Sequence, residues 1–219
     1  DNFGYTLNAF YTVYMLDGVS AYRDATLKAL GSLSANYRNH DWENGSADGY
    51  ADAIEGTLNL YMRESIPSVK DWLESEIKIL WNFQKPDGII EGWHGDGNFA
   101  RTSLMYALWK TAGVSVSDWN SDIIFGAVTV KNTLFVTLTS PSAWKGKLIF
   151  GSKWHKNHLR LPVDYPRINQ FQEWFPIEPD KDYRLVKGSQ SQVIKGSKLI
   201  AGLPIQLKPN EVVQLSLLR

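Results

Sequence analysis

The chain has 219 residues, no cysteine, and 23 basic against 23 acidic side chains. A formal net charge of +0 excludes nucleic-acid binding by the electrostatics of the whole molecule, and the lack of cysteine excludes both a disulfide framework and thiolate chemistry. No run approaches the roughly 18 consecutive apolar residues that a membrane span requires, so no membrane partner is expected.

The zero balance conceals two different halves. Residues 1–120 carry 9 Lys/Arg against 16 Asp/Glu, whereas residues 121–219 carry 14 against 7. Six of the nine Trp and eight of the ten Tyr precede residue 121, and seven of the nine Pro follow it. Two domains are expected, 1–116 helical and 121–219 built of strands.

In chain order, Tyr5, Leu7, Phe10, Val13, Tyr14 and Leu16 predict a first helix stopped by Asp17-Gly18. Ser20 opens a second, whose stripe runs through Ala25, Leu30, Leu33 and Tyr37. A polar loop at 39–46 leads into a third helix over residues 47–64, with Ile54, Leu58 and Tyr61 at spacings of 4 and 3. Ser68 begins a fourth, with Asp71 as a capping-box-like partner. A fifth starts with Asn98 as N-cap and ends at Gly113. It is apolar all round, which predicts burial among other elements. Five helices on short loops read as antiparallel hairpins. Asp1 runs almost directly into the first, so a further N-terminal part of the same polypeptide, or an oligomeric partner, is expected to complete them.

Past residue 118 the period changes to two. Leu134, Val136 and Leu138 alternate with Phe135, Thr137 and Thr139 after a turn at Lys131-Asn132. Further strands are predicted at 147–150, 174–178, 183–186, 198–201, 205–207 and 211–218, and their spacing argues for an antiparallel β-sandwich. The three prolines within 161–176 predict an ordered loop; Arg167, Asn169, Gln170, Glu173 and Trp174 there read as a packed interdomain contact.

Two stretches carry chemistry. On a helix starting near Ala47, Asp48, Asp52 and Glu55 fall at i, i+4 and i+7, on one face. Like charges so placed raise a pKa or gather a cation or sugar hydroxyls; N-terminal dipole complementation and ion pairs to arginine fit the same residues. The second stretch is Glu91-Gly-Trp-His-Gly-Asp-Gly-Asn-Phe-Ala-Arg101. Trp93 offers a sugar platform, Glu91 and Asp96 bind hydroxyls or move protons, and His94 titrates near neutrality. Arg101 either holds an anionic group or pairs with one of the carboxylates. His155 and His158 have no acidic residue adjacent in sequence, and no metal site is expected there.

The runs Trp-Asn-Phe-Gln-Lys-Pro-Asp-Gly at 81–88, Glu91-Gly-Trp93, and Gly-Asp-Gly-Asn-Phe-Ala-Arg at 95–101 resemble the (α/α) toroid carbohydrate-active enzymes. These comprise unsaturated-glucuronyl hydrolases, other six-hairpin glycosidases and toroid-plus-sandwich polysaccharide lyases. The likeness covers the helical half, and only the order of helices then sandwich extends it. It implies an α+β multidomain chain, a partial α/α toroid followed by an antiparallel β-sandwich, with a carbohydrate cleft at one mouth of the toroid. It assigns no single catalytic position.

The expected function is therefore that of a glycan-degrading enzyme, or its C-terminal portion, acting on an acidic oligo- or polysaccharide without cofactor or metal. As a hydrolase it would use Asp48 with Glu91 or Asp96 as acid and base. Trp42, Tyr50 and Trp93 would be sugar platforms, Asp52, Glu55 and Asn98 hydroxyl ligands, and Arg101 the orienting cation. As a lyase it would use His94 or Tyr50 to abstract the C5 proton, with Arg101 neutralising the uronate. A non-catalytic glycan-binding or structural protein is the alternative, as is an oligomer-forming scaffold. A periplasmic or extracellular location is the expectation that goes with the substrate.

Overall fold

The computed structural model of the chain describes residues 3–90 and 97–219. Two compact units emerge: one of Asp1–Tyr106 with Tyr165–Gln172, the other of Ala107–Asp164 with Glu173–Arg219. The architecture is α+β, with helices in the first half and two antiparallel sheets in the second.

In the first unit α1 (Phe3–Asp17) and α4 (Pro67–Asn82) each pack against α3 (Ala47–Tyr61), and α2 (Ser20–Asn36) packs against α1 and α4. The central element is α3, with 12 buried residues out of 15. Its small residues let neighbouring backbones close in: a Cβ built on Gly4 of α1 would stand only 2.9 Å from the Cα of Gly56.

The opposite holds for α5 (Asn98–Lys110), where the buried residues are Thr102 and Met105 and Leu104 is 58% exposed. The expectation that α5 is buried all round is thus corrected. The helix wrapped by its neighbours is the one whose small side chains admit them. Two helix starts differ as well. Pro67 occupies the first turn of α4, where its missing N–H leaves nothing unsatisfied; the cap residue is Ile66, with no side-chain cap bond. Asn98 is the first residue of α5 rather than its cap, and its side chain is turned to another partner.

In the second unit, β1 (Val114–Ser117), β4 (Trp144–Phe150) and β7 (Leu203–Leu207) form a three-stranded sheet in the order β1-β4-β7. The other sheet has the order β2-β3-β8-β5-β6, from β2 (Ile124–Val130), β3 (Thr133–Thr139), β5 (Asp182–Lys187), β6 (Gln190–Lys195) and β8 (Val212–Leu218). Strict alternation puts Leu134, Val136 and Leu138 of β3 inside, and β8 answers with Val213, Leu215 and Leu217. Side chains of both sheets, among them Leu148, Phe150, Leu134 and Leu215, share one hydrophobic core. Two predicted strands are corrected. Residues 174–178 contribute only a single bridge, Ser152 to Ile177. Residues 198–201 lie in α7 (Gly196–Ala201), since a short apolar run does not by itself distinguish strand from helix. Among the described residues, no helix is long and apolar enough to cross a membrane.

Candidate functional site

The acidic face of α3 is where the helical unit gathers its polar side chains. Ser46 caps α3, its hydroxyl accepting from the Gly49 amide at 3.0 Å. The preceding 3-10 turn, Trp42–Asn44, folds directly onto the first turn of α3. A Cβ on Gly49 would lie 2.5 Å from the Trp42 carbonyl oxygen and 2.7 Å from the Glu43 Cβ, so only glycine permits this approach. Glu43 and Asn44 hold left-handed backbone conformations, φ 48° and 59°, a strain tolerated where the surroundings over-determine it. Those surroundings are visible. The Glu76 carboxylate accepts the Asn39 amide at 3.2 Å, and the Trp72 indole N–H donates to the Tyr37 carbonyl at 3.0 Å.

The turn delivers Glu43 to Asp48 and Asp52. Burial, reinforced by the charges of those two aspartates, holds the Glu43 carboxyl above its ordinary value. From α1, Tyr5 hydrogen-bonds Asp52. Burial and that bond push its phenol far above the ordinary range, so Tyr5 stays protonated and donates. From α5, the Asn98 amide donates to Asp48 Oδ1. Arg101 Nη2 sits 2.5 Å from Glu55 Oε2 and 3.4 Å from Asp52 Oδ1. Thr102 fastens α5 to α3 by donating to the Ala51 carbonyl at 3.2 Å. From residues 165–172, the Asn169 amide donates to Glu55 Oε1 at 2.5 Å, while Asn59 donates to the Arg167 carbonyl at 3.2 Å.

The predicted residues thus separate into three groups. Asp48, Asp52, Glu55, Asn98 and Arg101 come together. Within that group Glu55 is fully buried, and burial keeps its carboxyl above the ordinary value against the pull of Arg101 and the Asn169 amide. It therefore anchors Arg101 and does not reach a ligand, which corrects its expected role on sugar hydroxyls.

Trp42 and Tyr50 form the second group, each only 4% exposed. Trp42 packs into a ring cluster with Phe3, Tyr37, His40 and Trp72, and Tyr50 packs on Phe83. A sugar platform needs an open face, so both are corrected to core residues, and Tyr50 is removed as a lyase base. The third group, Glu91, Trp93, His94 and Asp96, lies outside the described residues.

Sequence reasoning missed Tyr5, Glu43 and Asn169. Glu43 did carry a signal, since Trp42-Glu43-Asn44-Gly45 is a turn-forming run pressed against a capped helix. Tyr5 and Asn169 reach the cluster only through tertiary contacts.

In the sheet unit the fold supplies His155 with the acidic partners that its sequence neighbours do not, placing Nδ1 within 3.0 Å of both Glu173 oxygens and near Asp164.

No family model, curated protein or solved structure matches the chain.

Proposed function

We propose that the helical unit carries the acid/base site of a carbohydrate-active enzyme that cleaves glycosidic bonds in an acidic oligo- or polysaccharide. The observation behind this reading is the unequal treatment of neighbouring carboxylates at the head of α3. Glu43 is held above its ordinary pKa by burial and by Asp48 and Asp52, while Asp48 is oriented by Asn98 and Asp52 is held by Tyr5 and Arg101. Carboxyl groups whose environments set them to different tasks are what glycosidic hydrolysis requires: a proton donor for the leaving oxygen, and a base or nucleophile.

Glu43 takes the donor role and Asp48 the base role. Arg101, anchored by Glu55, attracts the acidic sugar. Glu91, Trp93, His94 and Asp96 precede Asn98 directly in sequence, and they supply further substrate contacts in this reading. The helices then represent part of an α/α toroid and the two sheets a β-sandwich. A periplasmic or extracellular setting follows from a polymeric substrate. Hydrolysis is favoured over elimination because Tyr5, the tyrosine at the cluster, is held protonated and so is no ready base.

The test is product analysis on a panel of uronate-containing and sulfated polysaccharides. Hydrolysis gives new reducing ends without an ultraviolet-absorbing unsaturated uronide. Glu43→Gln and Asp48→Asn should each lower turnover by about 10²–10⁴-fold, the usual worth of a general acid or base, with circular dichroism unchanged. Unsaturated product, or full turnover in both variants, overturns the assignment. Saturable binding without product identifies a glycan-binding module instead.

A further inference from the structure

The sheet unit holds a second convergence of titratable side chains, independent of the function proposed for the helices. The single-turn helix α6 (Trp154–Asn157) is closed by the Leu161 amide donating to the His155 carbonyl at 2.8 Å. The Trp154 ring stacks on His158 at 4.1 Å, which commits His158 to the exposed side and leaves His155 facing inward, 12% exposed. The Ile177 amide bonds the Gly151 carbonyl at 2.7 Å, and the Ser152–Ile177 bridge lies beside it. This tie draws the segment before Ile177 across α6.

As a result the Glu173 carboxylate, 6% exposed, accepts the His155 backbone amide at 2.7 Å and lies 2.9–3.0 Å from Nδ1. Asp164 returns to the same point. One ligand atom from each of the three residues lies within 4.8 Å of the other two.

His155 and Glu173 form an ion pair when the imidazole is protonated, and Asp164 brings a second carboxylate beside them. One imidazole and two carboxylates converging this closely are also a donor set that a divalent cation can join. The spacing suits one. Two ligand atoms each about 2.0–2.2 Å from an ion stand no more than about 4.4 Å apart, so a shift of a few tenths of an ångström closes the set. The donors are one imidazole nitrogen and two carboxylates. Imidazole favours the borderline divalent cations over calcium and magnesium, which take oxygen ligands alone. Three protein ligands also leave a coordination position for water.

We propose that His155, Asp164 and Glu173 form a binding site for a borderline divalent cation of the zinc–manganese class, with Nδ1 and one oxygen from each carboxylate as ligands.

The probe is the metal alone. Zn²⁺ and Mn²⁺ are titrated calorimetrically into the chelator-treated full chain, with the thermal midpoint followed in parallel. Expected are one ion per chain, proton release on binding, a rise in the midpoint, and retention of the ion in a large excess of Mg²⁺. Asp164→Asn leaves both members of the His155–Glu173 contact in place, and with circular dichroism unchanged it should weaken binding more than about tenfold, the scale on which even a supporting partner of a metal ligand is felt. His155→Gln should do the same, and His158→Ala should leave binding intact. No binding in the wild-type chain overturns the site. So does binding that survives Asp164→Asn and His155→Gln together, which would place the ion on other side chains.

Discussion

The two units treat polar side chains in opposite ways. Among the described residues, most buried polar or charged side chains belong to the helical unit (Asn8, Thr26, Glu55, Thr57, Asn59, Glu76, Thr102 and Gln172), whereas the sheet unit buries Ser140 and the Glu173 carboxylate. In the sheet unit strict alternation sorts side chains, with apolar residues of β3 and β8 inward and their neighbours outward. A sheet with one covered face needs no buried charge to define it. The helical unit instead draws two glutamates fully inside, Glu55 on α3 facing Arg101 and the Asn169 amide, and Glu76 on α4 accepting the Asn39 amide. Burying charge works against stability unless it is paired, so the helical unit depends on these pairings more than the sheet unit does.

The largest expected effect follows from breaking that pairing. Arg101→Met leaves Glu55 buried without its cation and should cost roughly 3–5 kcal/mol of stability; denaturant unfolding measures it, and a change below about 0.5 kcal/mol would mean the pair is not buried as described. Next comes Gly49→Ala. The added Cβ collides with the Trp42 carbonyl, so the Trp42–Asn44 turn must lift, at a cost of about 1–3 kcal/mol. Glu43 should lose its raised pKa in the same variant.

A smaller, pH-dependent effect lies just past the C-terminal end of α3. Burial tends to raise the Glu64 carboxyl, but hydrogen bonds from Arg23 and Tyr11, with the charge of Arg23, outweigh it and hold the group below its ordinary value. Arg23 donates at 2.5 and 2.8 Å and Tyr11 at 2.8 Å. A carboxyl whose folded pKa is depressed stabilises the fold fully above its unfolded pKa. That contribution is lost as pH falls through the folded value. Glu64→Gln should therefore lower stability at neutral pH and flatten the acid limb of the stability profile; an unchanged acid limb would contradict the assignment. The smallest change is expected at the outer face of the sheets, where Val193→Thr, at a residue 69% exposed, should alter stability by less than about 0.5 kcal/mol.

Much of the fold was legible because its periods are strong. The alternation through 133–139 and the turn at Lys131-Asn132 predict the β2–β3 hairpin that forms. The i, i+4, i+7 carboxylates place Asp48, Asp52 and Glu55 on one face, and Arg101 does pair with two of them. What was not legible depends on contacts between distant segments. An all-apolar pattern marked α5 as core, but small residues, which carry little hydrophobic signal, made α3 the helix that others wrap. Trp42 looked like an exposed platform because its neighbours are polar, yet Phe3 and Trp72, far away in sequence, enclose it. β6, Gln-Ser-Gln-Val-Ile-Lys, has no clear alternation and is a strand through its pairing with β5.

The central claim, that the head of α3 holds the Glu43 carboxyl above its ordinary value beside Asp48 and Asp52, is tested most directly by a carbon-13 NMR titration of the glutamate side chains. The predicted result is a Glu43 carboxyl that titrates clearly above the ordinary value of 4.5 and moves back toward it when Asp48 and Asp52 are replaced by asparagine. A Glu43 that titrates at or below that value in the wild-type chain would contradict the proposed donor.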